Sequence, residues 1–198
     1  MPPFDYTDAP PPSFDLIPDG TTATVSMHIR SGNVGEDGLL KRSAAGDCEM
    51  LDAEFTILDG TYKGRKFWHN LLLVGTTDGQ KKMADSNKGV LKAILDSVLG
   101  LKPNDVSAEA RAARTVSIKW FDGKNFIAKI GIEKGGPKKN GSGNYPDKNV
   151  LAGVITPDKK DWHPVEQPPP FNGGGAGAAA APTAPAPAAP VERPDWAR

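Results

Sequence analysis

Apolar and polar residues alternate with a period of two in several segments of the chain, the pattern of a β-strand with one buried and one exposed face. Residues 22–30 show it first, with Val25, Met27 and Ile29 on one side. A last alternating segment at 150–155 is expected to close the domain. The pattern predicts a mostly β protein.

The clearest alternation covers residues 51–74 and predicts a β-hairpin. Residues 51–57 alternate strictly, and glycines at positions 60 and 64 supply turn conformations before the second strand. In that strand Phe67 takes the buried face. Its neighbours Lys66 and Trp68 are therefore expected on the exposed face.

Residues 115–134 are predicted to form a second hairpin, with its turn at Asp122-Gly123. The alternation of its first strand places Trp120 on the buried side and Phe121 on the exposed side. Three cations are then expected on or near the exposed side of this hairpin: Lys119, Lys124 and Lys129.

Between the two hairpins the apolar period changes to 3.6, which predicts one amphipathic helix. Asp85 or Ser86 is available as its N-cap, and Gly100 is expected just beyond its end. About five strands and one helix predict a small five-stranded barrel, closed or partly open, like that of oligonucleotide-binding folds, with an antiparallel sheet covered by one α-helix as the alternative.

The two ends of the chain have a different composition. Residues 1–13 are rich in proline and acidic, and are expected to form a flexible arm. The folded domain is predicted to cover residues 14–165. Residues 166–198 are mostly Pro, Ala and Gly, which bury too little apolar surface to fold, so a disordered tail is predicted.

The net charge of zero conceals an uneven distribution of charged residues. Residues 61–160 contain 19 Lys or Arg and 9 Asp or Glu, a net charge of +10, so the flanking segments sum to −10. A basic block of this kind favours a polyanion as partner. Lysines that only keep a domain soluble are the simpler explanation of the charge alone.

Aromatic residues within the basic block favour the binding of single-stranded nucleic acid, because cations bind phosphates and flat rings stack on bases. The basic, glycine-rich loop 135–144 adds further cations. The predicted DNA-binding residues are Arg65, Lys66, Trp68, Lys119, Phe121, Lys124, Lys129, Lys138, Lys139, Tyr145 and Lys148.

The sequence contains no recognisable active site, and we expect a protein that is not an enzyme. The segments 60–66 and 75–81 both miss the spacing of a phosphate-binding P-loop. Asp52 and Glu54 share a strand face and are expected to be solvated or bonded to lysines across the sheet. No metal or cofactor is predicted, since no metal-ligand spacing joins the four possible ligands, His28, His69, His163 and Cys48.

The expected location is the cytoplasm, with no membrane attachment. No run of about 18 apolar residues occurs, and the N-terminus lacks a basic segment followed by an apolar one. The single cysteine excludes a disulfide within the chain and suits a reducing compartment.

Three segments also resemble a known family: FDLIPDG at 14–20, EFTILDGTYKGRKFW at 54–68, and the helix ending in Leu99-Gly100. They resemble bacteriophage proteins of domain of unknown function 669, which are similar to phage single-stranded DNA-binding proteins of the oligonucleotide-binding fold. The resemblance covers about residues 14–156. It implies a role in phage DNA replication or recombination inside a bacterial host, with single-stranded DNA and replication or recombination proteins as partners, and no catalytic residues.

A second hypothesis is a phage structural or protein-interaction module on the same barrel, without nucleic-acid binding. The C-terminal sequence VERPDWAR departs from the acidic, phenylalanine-ended tails of many single-stranded DNA-binding proteins. Recruitment of partners by the tail therefore does not follow from the resemblance. The sequence leaves open a homo-oligomer, the number of nucleotides covered and a preference for DNA or RNA.

Overall fold

The computed structural model describes residues 15–35, 37–138 and 141–168. The described residues belong to one compact unit that ends at Pro168. The predicted arm at 1–13, Lys139 and the part of the predicted tail after residue 168 lie outside the described residues. Glu166 and Gln167 hydrogen-bond to Asn125, so ordered contacts continue two residues past the predicted domain end.

The described residues form seven strands, two α-helices and one short 3₁₀ helix. The elements in chain order are β1 (Thr22–Ile29), β2 (Asn33–Val34), β3 (Leu40–Arg42), β4 (Cys48–Ile57), β5 (Lys66–Gly75), α1 (Asp78–Leu99), α2 (Ala108–Ala113), the 3₁₀ helix (Ile118–Phe121), β6 (Asn125–Glu133) and β7 (Lys148–Val154).

One antiparallel sheet contains all seven strands, with β4 at its centre. Residues 53–57 of β4 pair with β1 and residues 49–51 pair with β3, while β5 pairs along the length of β4. From β1 the sheet continues through β6 to β7. The predicted antiparallel sheet is thus confirmed.

The prediction of a five-stranded barrel is corrected in two respects: the sheet is not closed, and it has seven strands. Among the described residues β5 pairs only with β4 and β7 pairs only with β6, so the sheet stays open between β5 and β7. The two extra strands, β2 and β3, lie in the segment 31–46, where no strand was predicted. They have only two and three residues, too few for an alternating pattern to show.

The central hairpin is confirmed, and its buried face forms the middle of the core. Phe55 of β4 stacks on Phe67 of β5 with ring centroids 5.1 Å apart. Phe126 of β6 packs perpendicular to Phe55, with ring centroids 6.1 Å apart. All three rings are buried. Because Phe67 faces the core, Lys66 and Trp68 face outward as predicted.

Helix α1 packs on β5 through Leu91, Ile94 and Leu95, and Gly100 ends it in a left-handed conformation. Its predicted start at residue 85 or 86 is wrong. Thr77 is the N-cap and forms a capping box with Gln80. The first two turns are mostly polar and therefore carried no apolar stripe.

The predicted second hairpin at 115–134 is also wrong. Its expected first strand is a 3₁₀ helix over 118–121, and β6 pairs with β1 and β7 instead. A helical turn does not alternate between two faces, so the order of the two rings is reversed. Phe121 is only 4% exposed and lies in the core, whereas Trp120 is partly exposed.

Candidate nucleic-acid interface

The outer face of β1, β4 and β5 carries two of the side chains predicted to meet nucleic acid, Lys66 and Trp68. Glu54 at the centre of this face lies opposite His28 on β1 and opposite Trp68 on β5. Paired residues of neighbouring strands project to the same side of a sheet. The Trp68 side chain is 45% exposed and therefore accessible to a ligand.

The carboxylate of Glu54 hydrogen-bonds to both Lys66 and Trp68, the two predicted DNA-binding residues of this face. Oε1 of Glu54 accepts a 2.6 Å hydrogen bond from Lys66 Nζ, and Oε2 accepts one of 3.0 Å from the indole Nε1 of Trp68. The hydrogen bond from Lys66 is the main reason why the pKa of Glu54 lies below its usual value. The ring and the nearest cation are therefore oriented before any ligand arrives.

Asp52 pairs with two further cations, Arg30 and Lys41. The Arg30 guanidinium binds both of its oxygens, at 2.7 and 2.8 Å, and Lys41 Nζ lies 3.5 Å from it. Asp52 is only 6% exposed beneath these side chains. The expectation that Asp52 and Glu54 bond to cations across the sheet is confirmed.

A cleft of about 750 Å³ opens where the first residues of β5 face the first residues of β7. It lies at the open side of the sheet, where the backbones of β5 and β7 are not paired with each other in the described part of the chain. Its lining combines cations, one exposed ring, one acid and apolar side chains: Arg65, Lys66, Lys148, Trp68, Asp147, Leu16 and Pro146 are among them.

The segment before β1 forms one wall of this cleft and is fixed by a buried amide. Asn149 of β7 accepts a hydrogen bond from the Ile17 amide at 2.9 Å and donates to the carbonyls of Ile17 and Gly131 at 2.8 and 3.2 Å. Arg65 donates to the backbone carbonyl of Asp15. The cleft is thus built by side chains with defined partners.

The loop between β6 and β7 brings Tyr145 close to Lys148, the first residue of β7, at the edge of the cleft. Lys134 pairs with Asp147 at 2.7 Å, and Asp147 also accepts from the amide of Gly135. Tyr145 is 53% exposed and borders a second pocket of about 350 Å³, which shares Lys148 with the larger cleft. Lys148 itself pairs with the exposed carboxylate of Glu133 at 3.3 Å.

Apart from Lys139, which lies outside the described residues, the predicted residues divide into two groups. Five of them line the cleft or its neighbouring pocket: Arg65, Lys66, Trp68, Tyr145 and Lys148. The others lie elsewhere or play another part: Lys119 and Lys129 are exposed outside the cleft, Lys124 lies 4.9 Å above the ring of Trp120, Lys138 is partly buried, and Phe121 belongs to the core.

His69 lies between β5 and β7, where the sheet is open. Nδ1 of its ring is buried without a hydrogen-bond partner. Burial lowers the pKa of His69, because a buried imidazolium loses its hydration. The charges of Glu133 and Lys148 act on it in opposite directions and more weakly than burial.

Two further properties of the described residues bear on the site. They contain no group of three or more His, Cys, Asp or Glu side chains placed to bind a metal ion. None of their helices is both long enough and apolar enough to cross a lipid bilayer.

No protein-family model, curated protein or solved structure matches this chain. The interface is accordingly defined by its own geometry.

The role of Glu54 and the contribution of Leu16 and Pro146 were not predicted from the sequence. The pairing of Glu54 with Trp68 depends on the hairpin register, which the loop at 58–65 sets through the hydrogen bonds that Ile57 makes with Arg65 and Gly64. The length of that loop, which can be read from the sequence, could have predicted that Glu54 pairs with Trp68. No sequence pattern near either residue indicates that Leu16 and Pro146 line the same cleft.

Proposed function

We propose that this protein binds single-stranded DNA without catalysis and with little sequence preference. The observation that carries the proposal is the exposed indole of Trp68 in a cleft with Arg65, Lys66 and Lys148. A stacking ring among cations is the chemistry of sequence-tolerant single-strand binding. The resemblance to phage domain-of-unknown-function 669 proteins extends the proposal to DNA replication or recombination in an infected bacterial cell.

The order of the long strands supports the proposal. They follow the order β5-β4-β1-β6-β7, and α1 lies between β5 and β6 in the chain. Oligonucleotide-binding folds are partly open five-stranded barrels that bind their ligand on the second and third strands and through two loops. Here the corresponding strands are β4 and β5, and the 134–147 loop stands beside them.

Binding would replace contacts that the protein makes with itself. Phosphate groups would compete with Glu54 for Lys66 and with Glu133 for Lys148, which exchanges one anion for another. A base would stack on the free face of Trp68 while Glu54 keeps the indole in place. Because every base has a flat face, such stacking accepts any sequence.

The test is a titration of the protein with oligo-dT, followed by tryptophan fluorescence at several salt concentrations. Each phosphate contact to a single strand contributes about −0.7 to the slope of log K against log salt. Lys66→Ala and Lys148→Ala should each reduce the slope by about that amount. Lys88→Ala is the matched control, since Lys88 lies on α1 and pairs there with Asp85.

The alternative, a protein-interaction module, is favoured by one observation: Lys66 and Trp68 are already engaged by Glu54 in the protein alone. It predicts no binding of oligo-dT at low salt. A salt dependence that is flat, or an equal affinity for blunt duplex DNA, would reject the single-strand proposal.

A further inference from the structure

The carboxylate of Glu54 lies between the ring and the cation that a single strand would use. Oε1 accepts the 2.6 Å hydrogen bond from Lys66, and Oε2 accepts the 3.0 Å hydrogen bond from the indole of Trp68. The Glu54 side chain is 15% exposed, compared with 49% for that of Lys66. One partly buried carboxylate therefore acts on both binding groups at once.

Both lysines of the cleft lining already have an acidic partner. Lys66 has Glu54 at 2.6 Å, and Lys148 has Glu133 at 3.3 Å. Asp147 adds a further carboxylate to the lining. A ligand must therefore compete with a carboxylate for each lysine that it contacts, so positive charge alone does not make this cleft a strong binding site.

A ligand that offers only phosphates gains little from such a surface. To reach Lys66, a phosphate must displace Glu54, and the carboxylate then stays beside the bound phosphate because the pairing of β4 with β5 fixes its position. Like charges held side by side cost affinity. The bases of a DNA duplex are stacked inside it and do not reach Trp68, so a duplex has no second contact that offsets this cost.

A single strand has that second contact. Its unstacked bases can stack on the exposed face of Trp68, and stacking leaves the hydrogen bond from the indole to Glu54 in place. A hydrogen bond to a charged acceptor is stronger than one to a neutral acceptor, so the carboxylate holds the ring firmly. Glu54 therefore hinders a phosphate and supports a base.

We propose that Glu54 determines the preference of this site for single-stranded over double-stranded DNA. It withholds Lys66 from ligands that offer only phosphates, and it orients Trp68 for ligands that offer a base. A site can select one partner by placing an unfavourable charge against another, as well as by improving its contacts with the first. This role rests on the proposed function, to which it adds a specificity-determining residue.

The test compares blunt duplex DNA with oligo-dT as ligands of Glu54→Gln, by fluorescence anisotropy of labelled DNA at several salt concentrations. Glutamine keeps the shape of glutamate and an oxygen that accepts from the indole, but it has no charge. The variant should bind the duplex several-fold more tightly and oligo-dT with a smaller gain. The freed lysine should add one phosphate contact, which makes the salt slope for the duplex steeper by about 0.9.

Two further variants locate the effect. Glu49→Gln is the matched control: Glu49 lies on the same strand and pairs with Arg42 at 2.7 Å, away from the cleft, so its substitution should not change the preference. Adding Lys66→Ala to Glu54→Gln should abolish the gain in duplex affinity, because the freed lysine provides that gain. A gain that persists without Lys66 overturns the proposal.

The ratio of the two affinities decides between the remaining outcomes. An unchanged duplex affinity in Glu54→Gln, or an equal gain for both ligands, overturns the role of Glu54. A wild type that binds no oligo-dT rejects the proposed function instead. In that case a duplex gain that depends on Lys66 still supports the block by Glu54, and the lack of such a gain overturns it, so the two failures are distinguishable.

Discussion

The indole Nε1 of Trp68 donates a 3.0 Å hydrogen bond to Glu54 across the β4–β5 pair, which holds a largely exposed ring in one orientation. Stacking one base on such a ring is worth about 1–3 kcal/mol. Trp68→Ala should therefore weaken oligo-dT binding by roughly one to two orders of magnitude. The free energy of unfolding should change by no more than about 1 kcal/mol, as for other surface truncations.

Trp68→Phe provides the control for that experiment, because it keeps a smaller aromatic ring while it removes the indole N–H that bonds Glu54. It should retain most of the affinity that Trp68→Ala loses. Wild-type affinity in the alanine variant would contradict the assignment of Trp68 to the interface.

Phe121→Ala should destabilise the protein and leave binding unchanged in the molecules that remain folded. The side chain is 4% exposed and packs in the core, and truncating a buried phenylalanine costs about 3–5 kcal/mol. Urea denaturation would measure the loss. The exposed neighbour gives the control: Lys119→Ala should stay within about 0.5 kcal/mol of the wild type. A stable Phe121→Ala protein with weakened binding would restore the stacking role predicted from the sequence.

Two adjacent glycines of the β6–β7 loop should respond differently to alanine. A Cβ at Gly135 would lie 1.6 Å from the carbonyl oxygen of Tyr145, whereas a Cβ at Gly136 meets nothing within 4 Å. Gly135→Ala must displace the segment that carries Tyr145 and Lys148. We expect it to weaken oligo-dT binding several-fold and to lower stability by about 1–3 kcal/mol. Equal affinities for Gly135→Ala and Gly136→Ala would remove this loop from the interface.

Stability should fall as the pH decreases below about 6.5, because of His69. An unfolded histidine has a pKa of about 6.5, and burial lowers the pKa of His69 in the folded protein. Between the two values the unfolded state binds a proton that the native state does not, so the free energy of unfolding rises with pH.

His69→Gln should flatten that dependence, measured by urea denaturation at a series of pH values. His163→Gln is the matched control, since His163 is exposed. Loss of carboxylate interactions such as that of Glu54, whose pKa is lowered, falls in a separate window below its usual value of 4.5. An unchanged slope in His69→Gln would mean that another group dominates.

The sequence by itself determined the elements whose pattern is local and repeated. The alternation around Phe55 and Phe67 fixed the β4–β5 hairpin, and it placed Trp68 outside because neighbours in a strand point to opposite faces. Gly100 marked the end of α1 because a left-handed residue there favours glycine. These features depend on contacts between residues close in the chain.

Tertiary structure alone decided the features that depend on distant residues. Phe121 is buried and Trp120 partly exposed, the reverse of the prediction, because the segment packs against β1 as a helical turn. The alternation of apolar and polar residues does not indicate such a turn. The cleft exists because Asn149 holds Ile17, 132 residues away, and because the sheet stays open between β5 and β7. Composition placed cations and rings in one region of the chain, but only the long-range pairing selected which of them share a surface.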